Sequence, residues 1–392
     1  MAVEGADIPA CHSICGREHY GQLIMIRNFK TGLKKYQGTE NGFTIVELMV
    51  TLVISLFAIM ATTSLFAQLF ARFKQESRVA QTDIGSELGL EYLRREIHSA
   101  GYGLPWVVNG VAYAESSVAN ATTDDAPSNP PRAIFTVPGG GLFGSDWIVI
   151  KSQMAASMTD SAAGRSTTLR MGNVKRVWGN VNDDFVNSDN VIVLSTIDNT
   201  ISLVNNAGAF SVTYNNTAPY APASTEQTNM IYGVANTVDA SNGLRMPFNR
   251  ADYFITNSPA IAKVPLRCAP GTGELVKAIM NPDKVNGGGF SYFPVLDCVA
   301  NMKVEFQLAN NIYDNGTTVA TYSAAQIRQN LKEVLVYILA QEGQKEPSYT
   351  SAAQIPMNDP MGNNFPNLLN GQLNYRWKVY TIVEHPMDLT GE

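Results

Sequence analysis

The sequence predicts an α+β protein, in which a long membrane-spanning N-terminal helix carries a large β-rich domain. Two observations support this: residues 48–71 carry no charge, and many short segments rich in Val, Ile, Tyr and Phe follow Pro105. The 392 residues are 16% charged and 45% hydrophobic, with a net charge of −6. This composition excludes a wholly disordered chain. The mild acidity argues against nucleic acid as a partner, because such binding needs clustered Lys and Arg.

The uncharged run of residues 48–71 is long enough to cross a bilayer as a helix. A bilayer core needs about 20 mostly apolar residues, whereas a soluble core helix is rarely apolar on every face. A cleavable secretory signal fits poorly, because its apolar stretch has about 7–15 residues and is followed by the cleavage site. We therefore expect a membrane-inserted helix.

A basic segment and a Gly-Phe pair precede the apolar run. Residues 25–42 read MIRNFKTGLKKYQGTENG, and residues 43–50 read FTIVELMV. Glu47 is thus a lone carboxylate at the fifth position after Gly42. A carboxylate in a membrane helix is costly and indicates a functional site, although at the interface it reaches water at little cost.

This pattern resembles the class III signal of type IV prepilins and pseudopilins. The resemblance implies that the prepilin peptidase cuts after Gly42 and that Phe43 becomes the methylated first residue. The new amine of Phe43 is then expected to pair with Glu47 of a neighbouring subunit. An ion pair at ~4 Å is worth on the order of 4 kcal/mol at an effective dielectric constant of 20, so we interpret Glu47 as an assembly residue.

The resemblance also implies that residues 1–42 are a cytoplasmic leader and that the chain after the membrane is periplasmic. Flanking Lys and Arg residues favour the same orientation only weakly. A start at Met25 gives a leader of typical length, so residues 1–24 are interpreted as an upstream extension. The cluster of Cys11, His12, Cys15 and His19 has metal-binding residue types but no second half elsewhere, and we expect no metal site.

The helix is expected to continue beyond the membrane to about residue 100. No Pro occurs over 43–104, and Pro105 then ends the helix. We assign residues 43–71 to the transmembrane and filament-core half and residues 72–104 to an amphipathic second half.

One face of the second half is expected to pack on the globular domain. Leu90, Leu93 and Ile97 have the i, i+3, i+7 spacing of a buried helix face. Gly85 and Gly89 form a small-xxx-small pair outside the apolar run, which we interpret as flexibility rather than a dimer face.

Two further segments are similar to PilW-type minor pilins and to the related J-type pseudopilin of type II secretion. They are residues 88–103, LGLEYLRREIHSAGYG, and residues 375–386, YRWKVYTIVEHP. The resemblance implies a pilin-like fold, with a helical spine packed on a β-rich periplasmic domain over residues 105–392. One departure is Ser64, which stands where major pilins often carry Pro.

Residues 105–392 are expected to be mainly β-strand, because short Val-, Ile-, Tyr- and Phe-rich segments alternate with Gly, Asn, Asp and Pro. The predicted strands are 133–137, 146–151, 167–171, 191–196, 210–214, 251–256, 260–267, 275–280, 299–308, 334–340 and 375–383. A short amphipathic helix is expected over 323–332. In the last strand, Tyr375, Trp377 and Val379 are expected to fill one face rather than to stack on nucleic-acid bases.

Cys268 and Cys298 are the only cysteines after residue 42. In an oxidising periplasm we expect them to form a disulfide, with two buried thiols as the alternative. Closing a loop of about 30 residues contributes on the order of 3–4 kcal/mol in the chain-entropy model.

The sequence contains no recognisable catalytic motif. G-x-S-x-G, H-E-x-x-H and phosphate-binding glycine motifs are missing, and after residue 42 only His98 and His385 remain as histidines. We expect neither enzymatic activity nor a cofactor. Asp183, Asp184 and Asp189 could offer oxygens to Ca²⁺, but their spacing is not that of an EF-hand, so a turn is favoured.

The resemblance implies a minor pilin that is inserted in the inner membrane and then carried to the pilus or cell surface. Its soluble part is bulky for a densely repeating filament, so we expect low copy number in a priming or tip complex. The expected partners are the prepilin peptidase, other minor pilins, the major pilin and the inner-membrane assembly platform. The alternatives are a tip pseudopilin of type II secretion, a tip adhesin or ligand-binding module that uses region 106–250, and a tethered periplasmic hydrolase.

Overall fold

The computed structural model of the chain describes residues 42–115, 123–157, 160–235, 244–282, 289–387 and 389. The chain divides into two compact units, Met1–Leu65 and Phe66–Glu392. The predicted leader, apart from Gly42, lies outside the described residues, and so does the cluster of Cys11, His12, Cys15 and His19.

Helix α1 covers Ile45–His98. It begins after Thr44, whose Oγ1 accepts a hydrogen bond from Glu47 N at 3.2 Å and so satisfies one free amide of the first turn. It ends before Gly101, which has a φ of 97° that favours glycine. The continuous helix predicted over residues 43–100 is confirmed to within two residues at each end.

The first part of α1 is apolar and exposed. All side chains of residues 42–65 are exposed, and the segment Ile45–Lys74 is long and apolar enough to cross a membrane. The large exposed side chains include Phe43, Leu48, Leu52 and Phe57. An apolar surface of this kind is unfavourable in water and favourable in a bilayer.

The second unit contains two antiparallel sheets. In the large sheet the strand order is β1-β2-β9-β10-β11-β13-β14, with β12 paired to β11, and in the small sheet it is β4-β3-β8-β5-β6, with β7 paired to β5. The strands are β1 Ile134–Val137, β2 Trp147–Ser152, β3 Ser166–Arg170, β4 Val174–Lys175, β5 Asn190–Ser195, β6 Ser202–Leu203, β7 Ser211–Thr213, β8 Thr228–Gly233, β9 Asn249–Thr256, β10 Gly273–Met280, β11 Phe290–Leu308, β12 Tyr313–Asp314, β13 Leu331–Glu342 and β14 Arg376–Glu384.

The main core joins the end of α1 to both sheets. Leu90, Leu93 and Ile97 are 7%, 0% and 0% exposed, and they belong to one cluster with Ile148 of β2 and Ile192 of β5. The helix face predicted from the i, i+3, i+7 spacing is therefore confirmed.

Gly89 lets α1 approach the large sheet closely. A Cβ atom at this position would lie 2.1 Å from the carbonyl oxygen of Val295 in β11, which is too close for any other residue. The structure thus gives Gly89 a packing role, where the sequence suggested flexibility.

A second core cluster covers the other face of the large sheet near its β14 edge. It combines Leu335 and Leu339 of β13 with Phe365 and Leu368, which lie in the connection before β14. Trp377 and Val379 pack against this cluster. Their predicted place on one face of a strand is confirmed, whereas Tyr375, the third residue of that prediction, lies just before β14.

The structure corrects one predicted strand and extends another. No strand occurs over 260–267, because Ser258 O accepts hydrogen bonds from Ile261 N and Ala262 N in a turn, and Pro265 has no amide hydrogen to donate to a sheet. Strand β11 begins at Phe290, nine residues before the predicted start at 299.

The other nine predicted strands are present, and four strands were missed: β4, β6, β8 and β12. The predicted helix over 323–332 is α2, Ala324–Asn330. A capping box between Ser323 and Gln326 sets its start, because each residue binds the other's backbone amide.

Candidate functional site

Gly42, Phe43 and Glu47 lie together at the start of α1. Gly42 and Phe43 precede the first helical residue, and Phe43 is 79% exposed. A Cβ at Gly42 would meet no atom within 4 Å. The peptide bond between Gly42 and Phe43 is therefore non-helical and accessible, as a proteolytic site requires.

Glu47 also has a local role that the sequence interpretation missed. It is the third residue of α1, and its amide donates a hydrogen bond to Thr44 Oγ1. The Thr-x-x-Glu spacing is that of a capping box, and a carboxylate in the first turn interacts favourably with the helix dipole, by about 0.3–1 kcal/mol. Glu47 therefore favours the start of the helix even in an isolated subunit.

Near the other end of α1, Glu96 is buried against the large sheet. Its Oε1 forms an ion pair with Lys277 of β10, and its Oε2 accepts a hydrogen bond of 2.6 Å from the hydroxyl of Tyr253 in β9. Glu96, Tyr253 and Lys277 are 5%, 0% and 1% exposed. This contact attaches the helix to β9 and β10 of the large sheet.

Burial sets the protonation properties of this contact. It raises the pKa of Glu96 above the ordinary value, although Lys277 and the Tyr253 hydroxyl stabilise the carboxylate. Burial and the nearby Glu96 also raise the pKa of Tyr253. The sequence signals were Glu96 next to a buried helix face and a lone Lys277 inside an apolar strand.

His98 and His385 lie between elements at the surface. His98 Nδ1 is 2.8 Å from Glu384 Oε1 of β14, and His385 Nε2 is 2.8 Å from Glu333 Oε1 of β13. His385 Nδ1 also donates to the carbonyl oxygen of Lys332 at 2.8 Å. These contacts connect the end of α1 to β14 and the residue after β14 to β13.

A second buried ionic network, centred on Lys151 of β2 and Arg250 of β9, was not predicted. Both cations are 0% exposed and are register partners in the large sheet. Glu115 lies between them, with its carboxylate 2.9 Å from Lys151 Nζ and 2.8 Å from Arg250 Nη1. This carboxylate compensates two like charges that would otherwise repel each other.

Three aspartates complete the network. Asp125 accepts from Lys151 Nζ at 2.6 Å, while Asp124 and Asp252 each accept from Arg250 at 2.7 Å. Burial disfavours the Asp125 carboxylate, but Lys151 and Arg132 outweigh it and lower the pKa of Asp125. The network therefore attaches the segments around Glu115 and Asp125 to the large sheet.

Cys268 and Cys298 form the predicted disulfide, with a Cα–Cα distance of 5.0 Å. Cys298 has a positive φ of 55° and lies in β11 between register shifts. The bridge attaches the turn segment that replaces the strand predicted over 260–267 to this irregular point of β11.

The aspartates of the 183–189 loop hold the loop's own backbone. Asp184 accepts hydrogen bonds from the amides of Trp178 and Gly179 at 2.7 and 2.9 Å, and Asp189 accepts from Val186 N at 2.9 Å. Asp183 accepts from the Asn180 side chain. These contacts are those of a turn, as favoured from the sequence, and among the described residues no three His, Cys, Asp or Glu side chains form a group able to hold a metal ion.

A cavity of about 410 Å³ adjoins this loop, within the region 106–250 to which the sequence assigned no family likeness. Polar and aromatic side chains contribute to its lining, among them Arg165, Ser166, Trp178, Asn182 and Asp183. The guanidinium carbon of Arg176 lies 3.8 Å from the centre of the Trp178 ring, which orients the indole.

Comparison with known proteins gives no family assignment, since no protein-family model, curated protein or solved structure matches the chain.

Proposed function

We propose that the chain is a minor pilin of a type IV pilus, processed after Gly42 and incorporated in a low-copy priming or tip complex. The observation that carries the proposal is the position of the Gly42-Phe43-Thr44-x-x-Glu47 motif directly before an exposed apolar helix that begins at Ile45. The cleavage bond lies outside the helix, and the carboxylate lies inside its first turn.

The mechanism is one of assembly rather than catalysis. The prepilin peptidase cuts after Gly42, and Phe43 then carries a methylated amine. Glu47 lies four residues further along, about one helical turn, so the amine of one subunit pairs with Glu47 of its neighbour. In the hydrophobic filament core this ion pair favours one register between helices over others.

The anchoring of α1 to the large sheet supports a structural role. A filament subunit must transmit its position from the helix to the exposed domain. Leu93, Ile97 and the buried Glu96–Lys277 pair provide such a connection. The partners are the prepilin peptidase, other minor pilins, the major pilin and the inner-membrane assembly platform, with the domain after the membrane on the periplasmic side.

The N-terminus of the mature protein tests processing directly. Mass spectrometry of the chain from cells that possess a prepilin peptidase is expected to show Phe43 as the methylated first residue. Deletion of the peptidase is expected to restore the longer chain. A chain that keeps residues before Phe43 in peptidase-positive cells contradicts the proposal. Co-purification of the mature chain with pili, rather than with a type II secretion system, separates the minor pilin from the pseudopilin alternative.

The substitution Glu47→Gln tests the assembly role. It removes the charge but keeps a polar side chain in the first turn, so we expect normal cleavage and strongly reduced incorporation into filaments. The loss corresponds to an ion pair of a few kcal/mol. Quantitative immunoblots of sheared filaments and of membranes measure the two steps. Glu87→Gln, at an exposed acid of the same helix, is the control, and normal incorporation of the Glu47 variant would exclude the role.

The cavity beside Trp178 favours a second candidate function, ligand binding by the exposed domain. Its side chains combine an indole with polar groups, which is a common composition for small-molecule sites. A glycan array probed with the full chain in detergent, in wild-type form and as Trp178→Ala, tests this candidate. Binding that the substitution abolishes supports it, and equal signals from both proteins exclude the cavity as the site.

A further inference from the structure

A separate cavity of about 220 Å³ lies beside β11 of the large sheet. Its lining is rich in charged and amide side chains, among them Asp146, Lys303, Glu305, Asn315, Asn363 and Asn364. A water molecule occupies about 30 Å³ in the liquid, so the cavity has room for a small polar group. It is distinct from the N-terminal motif and from the cavity beside Trp178.

Glu305 is the unusual residue of this cavity. It is only 2% exposed, and its Oε1 accepts a hydrogen bond of 3.0 Å from the Asn363 side chain. Its Oε2 is buried and receives no hydrogen bond. A buried carboxylate oxygen without a donor is costly, because the hydration it had in water is not replaced.

The only lysine at the cavity is already bound elsewhere. Lys303 Nζ donates to the carbonyl oxygen of Gly144 at 2.7 Å and to Asp146 Oδ1 at 3.0 Å. Asp146 Oδ2 also accepts from Val304 N at 2.9 Å. Lys303 is therefore paired with Asp146 rather than with Glu305.

A second carboxylate, that of Asp359, increases the negative charge next to Glu305. Asp359 accepts hydrogen bonds from the Asn363 amide at 2.6 Å and from its side chain at 2.9 Å. Among the described residues, neither Glu305 nor Asp359 has an ion pair with Lys, Arg or His. When Glu305 is protonated, it hydrogen-bonds to Asp359, and this contact raises the pKa of Glu305. When both groups are ionised, the two adjacent carboxylates repel each other and attract a cation.

We propose that this cavity binds a protonated primary amine, with Glu305 as the charged acceptor. An ammonium group brings three N–H donors. The ionised Glu305 offers a carboxylate oxygen that accepts no hydrogen bond from the protein, and amide side chains lie beside it. A divalent metal fits less well, because the described residues contain no group of three His, Cys, Asp or Glu side chains able to hold one. The amine belongs either to a lysine side chain of a partner protein or to a small free amine.

A proton competes with the amine for Glu305. Burial and the neighbouring Asp359 raise the pKa of Glu305 to about 7, and Asp146 adds to this shift. The other titratable groups near it are Lys303, which is paired with Asp146, and Tyr337, whose pKa is raised mainly by burial. Glu305 is then about nine-tenths ionised at pH 8 and about one-tenth ionised at pH 6, so the apparent affinity for amines is expected to fall roughly tenfold between these pH values.

Calorimetric titration of the full chain in detergent tests the proposal. The probes are n-butylammonium, as a free amine, and Nα-acetyl-lysine amide, as a lysine side chain. Both are expected to bind at pH 8, and Glu305→Gln is expected to weaken binding by roughly tenfold or more, as for a lost charge-assisted hydrogen bond. Glu274→Gln is the matched control, since Glu274 is 5% exposed in β10 of the same sheet but is not part of the cavity lining.

The arms of the experiment separate the possible results. Preference for the lysine derivative supports a protein partner, and preference for butylammonium supports a free amine. Equal binding of tetramethylammonium, which has no N–H donor, would overturn the proposal, as would Ca²⁺ or Mg²⁺ binding in place of amines. Affinity that is unchanged between pH 6 and 8 would also overturn it, and this arm needs no variant.

Discussion

Glu96 and Lys277 illustrate why removing one partner of a buried ion pair differs from removing both. Each is almost fully buried, and Glu96 is the only acid bonded to Lys277 among the described residues. Loss of one partner leaves an uncompensated charge in a low-dielectric interior, whereas loss of both leaves only a change in packing.

We expect Lys277→Met to lower the free energy of unfolding by roughly 3–5 kcal/mol, because the Glu96 carboxylate then loses its cation. The double variant Glu96→Leu/Lys277→Met is expected to be less destabilised than Lys277→Met alone. Urea denaturation in detergent measures both. Arg94→Met is the control, since Arg94 pairs with Glu91 at the surface, and we expect a change below about 1 kcal/mol there. Equal effects of the single and double variants would contradict the pairing.

Glu305 predicts a specific dependence of stability on pH. Its pKa rises from 4.5 to about 7 on folding, so between these pH values the folded chain holds a proton that the unfolded chain has lost. The associated stability is fully present below about pH 4.5 and is lost as pH rises through 7, by on the order of 3 kcal/mol.

Urea denaturation of wild-type chain and Glu305→Gln at pH 5, 6, 7 and 8 checks this dependence. Glutamine does not titrate, so we expect the variant to lack the decrease seen in the wild-type chain. Burial disfavours the ionised form of Asp359, but hydrogen bonds from Glu305 and Asn363 outweigh it and lower the pKa of Asp359. Asp359 therefore changes the stability only as pH falls through 3.8 and lower. Parallel curves for the two proteins would rule out the assignment to Glu305.

At this scale the sequence predicted apolar contacts better than buried charges. Leu93 and Ile97 follow a helical period, so their burial was evident without knowing what they contact. Lys277 and Arg250 lie in strands whose pattern gives little sign of their partners, because Glu96 and Glu115 come from distant segments. Asp252 alone is close in sequence to the cation that it binds, Arg250. The proposed processing motif can be read from the sequence because Gly42, Phe43 and Glu47 are local in sequence.

Among the elements, the contact between α1 and β11 depends on Gly89. Gly89→Ala raises helix propensity by about 1 kcal/mol, but the new methyl group meets the Val295 carbonyl oxygen at 2.1 Å. Because a backbone oxygen cannot move aside without distorting β11, we expect a net destabilisation of about 1–3 kcal/mol.

Thermal unfolding of Gly89→Ala, with Leu88→Ala as the control, measures this effect. Leu88 is 66% exposed on the same helix, so its loss leaves the contact with β11 intact. A Gly89 variant that is more stable than wild type would show that helix propensity outweighs the close approach.

The strand predictions were correct where a run of β-branched or aromatic residues was continuous, as in β5 and β13. The prediction was wrong over 260–267, where a proline and a local turn prevent strand pairing although the segment contains apolar residues. The two-residue strands β4, β6 and β12 have no periodic pattern to read. Strand β11 was predicted too short because Pro294 and Asp297 interrupt its pattern, although both residues lie within the strand.

For the whole molecule, the exposed apolar segment of α1 predicts membrane association. We expect the full chain to sediment with membranes and to be released by detergent but not by high salt. Leu56→Lys combined with Ile59→Lys is expected to release a large part of it, because each lysine at the centre of a span costs about 2.5–3.5 kcal/mol.

Leu88→Lys is the control for this fractionation, because it adds the same charge at an exposed leucine of α1 beyond the segment Ile45–Lys74. It is expected to remain with the membranes. A wild-type chain found in the soluble fraction would contradict insertion and, with it, the proposed assembly mechanism.

The Glu96–Lys277 contact also has a consequence for biosynthesis. Its two residues are 181 positions apart, so a ribosome that adds about 5–20 residues per second needs roughly 10–35 s to deliver the lysine after the glutamate. Throughout that interval the apolar face of the nascent helix, which includes Leu93 and Ile97, has no sheet to pack against. We therefore expect the nascent chain to depend on chaperones for longer than a chain whose N-terminal helix packs against a segment close to it in sequence.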